Sequence, residues 1–215
     1  KFIIPVTIVF IVLVIIKMYT PEPTDWSPSF SKNDKIPFGS YILYNQLSDL
    51  FPNKKIESTN LPFYNITNEK KIENKNIVII CNQFDPDELD AKILTKLLVN
   101  GNDVFVAANS IGKFIADSIK LSTSYSFFGG FDSAYVNFSN PILMRNDDYR
   151  FIKGNYNHYF ASFDTSKVVV LGTNDIGFAN FLKVKIGKGD LYIHSVPNIF
   201  TNYNSNDINR LRILE

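Results

Sequence analysis

The side chains that most often carry out covalent chemistry are sparse in this sequence of 215 residues, which has one cysteine, Cys81, and two histidines. A cysteine nucleophile in an α/β protein lies on a sharp strand-to-helix turn, where flanking glycines permit the strained backbone. Cys81 lies between Ile80 and Asn82, with no glycine beside it. We therefore predict a small apolar residue at a strand end, and we assign no catalytic residue.

The two histidines do not form a metal site either. His194 belongs to an alternating stretch at residues 191–196, which predicts a packed, hydrogen-bonded side chain. His158 lies among aromatic residues and asparagines, which predicts an ordinary surface position. Neither has a second histidine or a cysteine at the spacing of zinc ligands. The sequence predicts no metal and no cofactor.

An acidic cluster of Asp85, Asp87, Glu88 and Asp90 could attract Ca²⁺ or Mg²⁺, but its spacing is not that of an EF-hand loop. Helix capping explains the cluster better. Asp85 is placed to cap a helix that starts at Pro86, and Glu88 follows Asp85 by three residues, as in a capping box.

These residues belong to the most regular stretch of the chain, residues 77–110. An unbroken apolar run at 77–81 precedes the acidic cluster, a helical pattern follows and stops at Gly101, and a second apolar run occupies 104–108. Strands without alternation are typical of parallel sheets that are covered on both faces. The stretch therefore predicts one strand–helix–strand unit with a right-handed crossover.

Further elements extend this unit. Residues 38–51 have the spacing of an amphipathic helix with Ser40 as a candidate cap, and Asp207 could cap a last helix. Residues 181–186 and 191–196 flank a glycine turn, which predicts an antiparallel hairpin. We expect an α/β domain with a mostly parallel sheet, helices on both faces and a C-terminal antiparallel hairpin.

Ligands of open α/β sheets bind beyond the carboxyl ends of the strands. This rule makes Asn82, Gln83, Asn109 and Ser110 candidate ligand-binding residues at the rim of the sheet. Ser40 is a further candidate, because the free N–H groups of a helix N-terminus favour anions.

The N-terminal stretch, residues 2–16, carries no charge. We predict a transmembrane anchor at residues 1–19, a linker at 20–37 and the α/β domain at 38–215, in a fragment truncated at both ends. A cleaved signal peptide and a buried core helix are the alternatives. Trp26, in the linker, packs on the domain or lies at the membrane interface. Glu22 and Asp25 favour a domain outside the cytoplasm.

Composition limits the classes of function. Hydrophobic residues make up 45% and charged residues 20% of the chain, and its net charge is +1. These values are typical of a globular protein, and they give no electrostatic reason to expect binding of nucleic acid.

Three segments together resemble a known family: residues 36–44, residues 85–109 with their Asn-Gly pair, and residues 187–197 continuing to 200–203. They are similar to the bacterial family labelled domain of unknown function 4350. The resemblance implies envelope proteins with a class I glutamine amidotransferase-like fold, which is a flavodoxin-like α/β sandwich. It also implies a second membrane helix after the domain and genes near that of a MoxR-type ATPase.

Three functions are compatible with the sequence. The first is a membrane-tethered, non-catalytic extracytoplasmic module that binds or assembles envelope proteins at the bacterial inner membrane, with the aromatic-rich residues 149–163 as a partner surface. The second is a hydrolase or amidotransferase-type enzyme that uses the polar rim in an atypical site. The third is an auxiliary subunit of an envelope transport system.

Overall fold

A computed structural model describes residues 2–126, 133–154 and 156–205. Its helices are α1 (Ile3–Tyr19), α2 (Tyr41–Leu50), α3 (Phe63–Glu69), α4 (Glu88–Val99), α5 (Lys113–Ala116) and α6 (Asn202–Ser205). Its strands are β1 (Asn76–Ile80), β2 (Gln83–Phe84), β3 (Asp103–Ala107), β4 (Ser110–Ile111), β5 (Ser122–Ser126), β6 (Ser133–Phe138), β7 (Tyr149–Ile152), β8 (Asn157–Ser162), β9 (Val168–Thr173), β10 (Ala179–Ile186) and β11 (Gly189–His194). The last helix predicted at Asp207 lies outside the described residues.

The main sheet has seven strands in the order β1-β3-β11-β10-β9-β6-β7. The β1–β3 and β3–β11 pairs are parallel, and the four other neighbouring pairs are antiparallel. The predicted flavodoxin-like, mostly parallel sandwich is therefore wrong. Parallel neighbours need a long crossover, usually a helix. Between β6 and β11 the described chain joins strand to strand by turns and loops, and the pairs that these strands form with one another in the main sheet are antiparallel.

The predicted strand–helix–strand unit is confirmed, because β1 and β3 pair in parallel with α4 between them. Its helix starts two residues later than predicted. Asp87 is the N-cap, and its Oδ1 accepts a hydrogen bond from the backbone N–H of Asp90 at 2.8 Å. Asp85 instead lies tightly against the backbone of Gly112. Gly101, at φ +99°, ends the helix as predicted.

One expectation about β1 is wrong. A strand with both faces covered was predicted, but β1 is the end strand of the sheet, and the Val78 side chain is 42% exposed. The apolar run at residues 77–81 therefore belongs to a partly exposed edge.

The core lies on both faces of the sheet. The larger cluster joins α4 to inward-facing residues of the central strands and includes Leu94, Val104, Val106, Leu182 and Ile193. The second cluster joins α2 and the turn at Pro197–Phe200 to the opposite face and includes Leu43, Ala107, Val136, Phe151 and Phe200. Alternation along β3 supplies both clusters, because successive side chains of a strand point to opposite faces.

The predicted hairpin is confirmed, with β10 and β11 paired around a turn in which Gly187 has φ +62°. Residue 189 must be glycine because there is no room for a side chain, not because of its φ angle. A Cβ at this position would lie 2.1 Å from the carbonyl oxygen of Asn102, which precedes β3. The hairpin thus packs its backbone directly on the loop that connects α4 to β3.

The structure of the N-terminal helix contradicts the predicted transmembrane anchor. α1 spans 17 residues and buries none of them. At 1.5 Å per residue it is about 26 Å long, less than the ~30 Å of a bilayer core. Of the helices formed by the described residues, none has the length and apolar content to cross a membrane. The predicted transmembrane anchor and the single-span inner-membrane location are therefore wrong.

The segment after α1 packs on the domain through Trp26. The Trp26 ring makes edge contacts with Phe38 at 5.6 Å and with Tyr203 at 5.5 Å between centroids. The ammonium group of Lys153 lies 3.4 Å from the centroid of the indole. Of the two positions considered for Trp26, the structure shows the one against the domain.

Candidate functional site

Four of the five predicted rim residues lie together where β1 and β3 end. The Asn109 backbone N–H donates to the Asn82 carbonyl oxygen at 3.0 Å, and their side-chain amides are joined by a 2.8 Å hydrogen bond. Gln83 and Ser110 are register partners in the parallel β2–β4 pair. The polar rim is thus formed by two short strands that extend β1 and β3 beyond the main sheet.

Ser40 is not the helix cap that the sequence predicts. Its hydroxyl is buried without a hydrogen-bond partner in the described part of the chain, and it does not cap α2. The cap is Asn202, whose Oδ1 accepts from the backbone N–H of Ile42 at 2.8 Å. The free helix end proposed for anion binding is therefore occupied by a side chain of the protein itself.

Cys81 is held in its thiol form. Its backbone N–H donates to the carbonyl oxygen of Ala107 at 3.0 Å, so the residue continues the β1–β3 ladder. Burial raises the pKa of the thiol to about 11. Because the thiolate is the reactive form, Cys81 is a poor nucleophile at neutral pH.

His194 is a neutral core residue. Its side chain is fully buried, and Nδ1 accepts a hydrogen bond from the Val196 N–H at 3.0 Å. Its ring lies 5.3 Å from that of Phe181 and 5.6 Å from that of Phe200. Burial lowers its pKa to about 3. The prediction of a packed and hydrogen-bonded histidine is confirmed.

The acidic cluster is used by helix ends. Asp87 caps α4, and Asp90 accepts from the N–H groups of Phe63 and Tyr64 at the start of α3. Glu88 pairs with Lys92. Across residues 2–126, 133–154 and 156–205, no three metal-binding side chains come together.

One surface feature is aromatic, and the sequence indicated it only as a segment. Five rings, which we call the aromatic edge, lie on the β5–β8 ribbon, directly before β8, or in the β9–β10 turn: Tyr125, Tyr156, His158, Tyr159 and Phe178. Tyr125 and Tyr156 are 51% and 48% exposed. Their rings lie 5.7 Å and 6.2 Å from that of His158, and Tyr159 stacks on Phe178 at 4.5 Å. The spacing of residues 149–163 indicated the segment, but Tyr125 and Phe178 join it only through tertiary packing.

Polar contacts fix the aromatic edge to the sheet. The Asn157 side-chain amide donates to Asp175 Oδ1 at 2.7 Å, which ties β8 to the turn after β9. The buried Ser195 hydroxyl donates to the carbonyl oxygen of His158 at 2.8 Å, which ties β8 to the end of β11. β8 is thus attached at two points.

The aromatic edge and the polar rim lie at the same end of the sheet. β9 and β11 both run antiparallel to β10, so both end where β1 and β3 end. Asn82 and Asn109 therefore share the carboxyl edge with Ser195 and the turn at residues 174–178. Ligands commonly bind at this edge of α/β sheets.

No protein-family model matches the chain. No curated protein matches it either. Among solved structures, the chain is similar to a protein from Thermoplasma acidophilum provisionally identified as a GMP synthase subunit, with 12% identity, 79% of this chain and 83% of that chain covered, and a TM-score of 0.47.

Two glycosidases also show structural similarity. A β-galactosidase from Bacillus circulans sp. alkalophilus has 10% identity over 65% of this chain, with a TM-score of 0.41. An exo-β-1,4-mannosidase from Opitutaceae bacterium strain TAV5 has 12% identity over 64% of this chain, with a TM-score of 0.41. This chain spans 22% and 23% of their lengths. All three similarities are weak.

Proposed function

We propose that this chain is a non-catalytic module that binds a protein partner through the aromatic edge. The observation that carries the proposal is the exposure of Tyr125 and Tyr156 on a ribbon attached to the sheet by partly buried hydrogen bonds. Aromatic residues are enriched at protein interfaces, where they contribute a large contact area for little loss of conformational entropy.

The charge state of the edge supports an apolar contact. Burial lowers the pKa of His158, so its ring is uncharged at neutral pH. The carboxylate of Asp175 already accepts a hydrogen bond from Asn157. A partner that places apolar side chains against these rings gains buried area without burying a charged ring.

The protonation states of Cys81 and His194 also favour binding over catalysis. A hydrolase or amidotransferase-type mechanism needs an activated nucleophile and a base within reach. Cys81 is a thiol with a pKa of about 11, and His194 has no exposed surface. We therefore prefer the binding module to the hydrolase or amidotransferase-type enzyme.

Membership of the family labelled domain of unknown function 4350 is a further proposal. Its support is that the first and third resembling segments contact each other. The Asn202 N–H donates to the Gly39 carbonyl oxygen, and the Tyr203 N–H donates to that of Pro37, each at 2.8 Å. In the third segment, Gly187 and Gly189 lie against Val99 and Asn102 of the second. The resembling residues thus hold the domain together, as expected of a motif that specifies a fold.

Capture of partners with the full chain as bait tests the proposed function. The double variant Tyr125→Ala, Tyr156→Ala is expected to lose a partner that the unchanged protein retains, with affinity at least about tenfold weaker. Tyr64→Ala is the matched control, because Tyr64 is 47% exposed but lies on α3. A partner that binds the double variant and the control equally well would contradict the proposal.

A further inference from the structure

The outer edge of β1 offers backbone hydrogen-bonding groups. The ladder between β1 and β3 uses alternate residues, as shown by the N–H of Cys81, which donates to Ala107, and the carbonyl of Lys75, which accepts from Asp103, each at 3.0 Å. In such a parallel ladder, the residues between them direct both backbone groups away from the partner strand. Asn76, Val78 and Ile80 therefore face outward. No strand in the described ranges pairs with this side of β1.

The usual protections of an edge strand are missing from β1. Soluble proteins commonly cover an edge or place proline, lysine or a bulge in it. β1 contains neither proline nor a charged residue, and its pairing with β3 has no register shift. Its middle residue, Val78, is 42% exposed. A straight, uncharged, β-branched edge of this kind is a template for an added strand.

We propose that a second copy of this chain occupies the edge, with the two β1 strands antiparallel about a twofold axis at Val78. Val78 then faces its own copy, and Ile77 faces Ile79 of the second copy. The pairing satisfies the outward N–H and carbonyl groups of both strands. It is isologous and closed, so it produces a dimer rather than a fibre.

The charges beside β1 select this antiparallel arrangement. Lys75 directly precedes the strand and Asp85 follows it, whereas Lys70 and Lys71 form ion pairs with Glu57 and Glu73 of the same chain. Antiparallel pairing brings Lys75 of one copy towards Asp85 of the other. Parallel pairing would align like charges, which is unfavourable.

The dimer joins two seven-stranded sheets into one continuous sheet. The twofold axis reverses the strand direction, so the carboxyl edges of the two copies lie at opposite ends. Each aromatic edge therefore remains open, and the dimer presents two separated binding surfaces.

Disulfide trapping tests the register in the full chain. A Val78→Cys substitution in a Cys81→Ser background places two thiols opposite each other across the axis. In a hydrogen-bonded antiparallel pair the Cα atoms are about 5.5 Å apart, a separation that a disulfide spans. We expect a covalent dimer under mild oxidation. Val169→Cys in the same background is the control, because this residue is 59% exposed but lies on β9, inside the sheet order. It should form no covalent dimer.

Sedimentation of the unlinked protein gives the second test. Val78→Pro removes an outward N–H without removing a bond to β3, and Val78→Lys adds a like-charge pair at the axis. Both variants should stay folded by circular dichroism and weaken dimerisation at least about tenfold, whereas Val78→Thr should not. A monomeric parent protein, together with a Val78→Cys variant that forms no disulfide, would overturn the proposal. Association that is unchanged in both disruptive variants would overturn it as well.

Discussion

Asn202 shows how much of this fold depends on single polar side chains. Its Oδ1 caps α2 at Ile42, and its amide group donates to the carbonyl oxygens of Asp34 and Ile36 at 2.8 Å and 2.7 Å. One residue near the end of the described chain thus fixes both the start of α2 and the segment before it.

Replacement of this cap should cost stability. Asn202→Ala removes three hydrogen bonds and leaves partly buried groups unpaired, so the free energy of unfolding should fall by about 1–3 kcal/mol. Ser40→Ala, at the position predicted as the cap, should change it by less than about 0.5 kcal/mol. Urea denaturation of the two variants measures both values. An equal loss in both would show that Ser40 contributes to the cap.

His194 should make the protein sensitive to acid. Its pKa is about 3 in the folded chain and 6.5 in the unfolded chain, so the unfolded chain takes up the proton first as pH falls. The contribution of the neutral His194 ring to stability is fully present above pH 6.5 and is lost progressively as the pH falls towards 3. Between pH 7 and pH 5 the loss should be about 2 kcal/mol.

Denaturation across this pH range checks the effect, with His194→Phe as the informative variant. Its stability should depend less on pH, even if its stability at pH 7 is lower. His158→Gln is the comparison, because the pKa of His158 is also lowered by burial but its ring is only partly buried. A variant at residue 194 with the same acid sensitivity as the parent protein would refute this origin.

The Asn202 cap also marks a limit of sequence reasoning about single residues. Asp87 caps a helix that begins at the next residue, so the local pattern predicted the helix and missed the cap by two positions. Asn202 lies 160 residues from Ile42, and no local pattern links the two. Polar side chains whose partners are distant in the chain can be assigned only once the fold is known.

At the scale of elements, local sequence patterns predicted which neighbouring elements pair, but they did not predict the strand directions of the whole sheet. The strand–helix–strand unit and the C-terminal hairpin each carry their own turn and capping residues, and both predictions are confirmed. The pairing of β7 with β6 depends on contacts across a loop. The alternation of apolar and polar residues does not encode such contacts. The direction of the outer strands was therefore predicted wrongly.

The contact between the hairpin and α4 should be sensitive to size. Gly189→Ala would place a Cβ 2.1 Å from the Asn102 carbonyl oxygen and 2.7 Å from that of Leu98, so backbone must move. We expect a loss of about 3 kcal/mol. Gly177→Ala is the control, because it has nothing within 4 Å and only the strain of φ +81°, which costs about 1 kcal/mol. Thermal denaturation of the pair should show the larger loss at residue 189.

At the scale of the whole molecule, the carboxyl edge of the sheet combines features that are far apart in sequence. It brings Asn82 and Asn109 to the same end as the aromatic edge on β5, β8 and the β9–β10 turn. General topology predicted the polar rim, because it follows directly from two parallel strands. The rings contributed by Tyr125 and Phe178 required the tertiary fold.

The account of this chain as a non-catalytic binding module requires that Cys81 does not act as a nucleophile, and alkylation of Cys81 measures this most directly. With a thiol pKa of about 11 instead of 9.0, the rate with iodoacetamide at pH 8 should be about 100-fold below that of the unfolded chain and should keep rising with pH above 9. The same protein in denaturant is the control. A fast reaction that levels off below pH 7 would reveal an activated thiolate and would contradict the account.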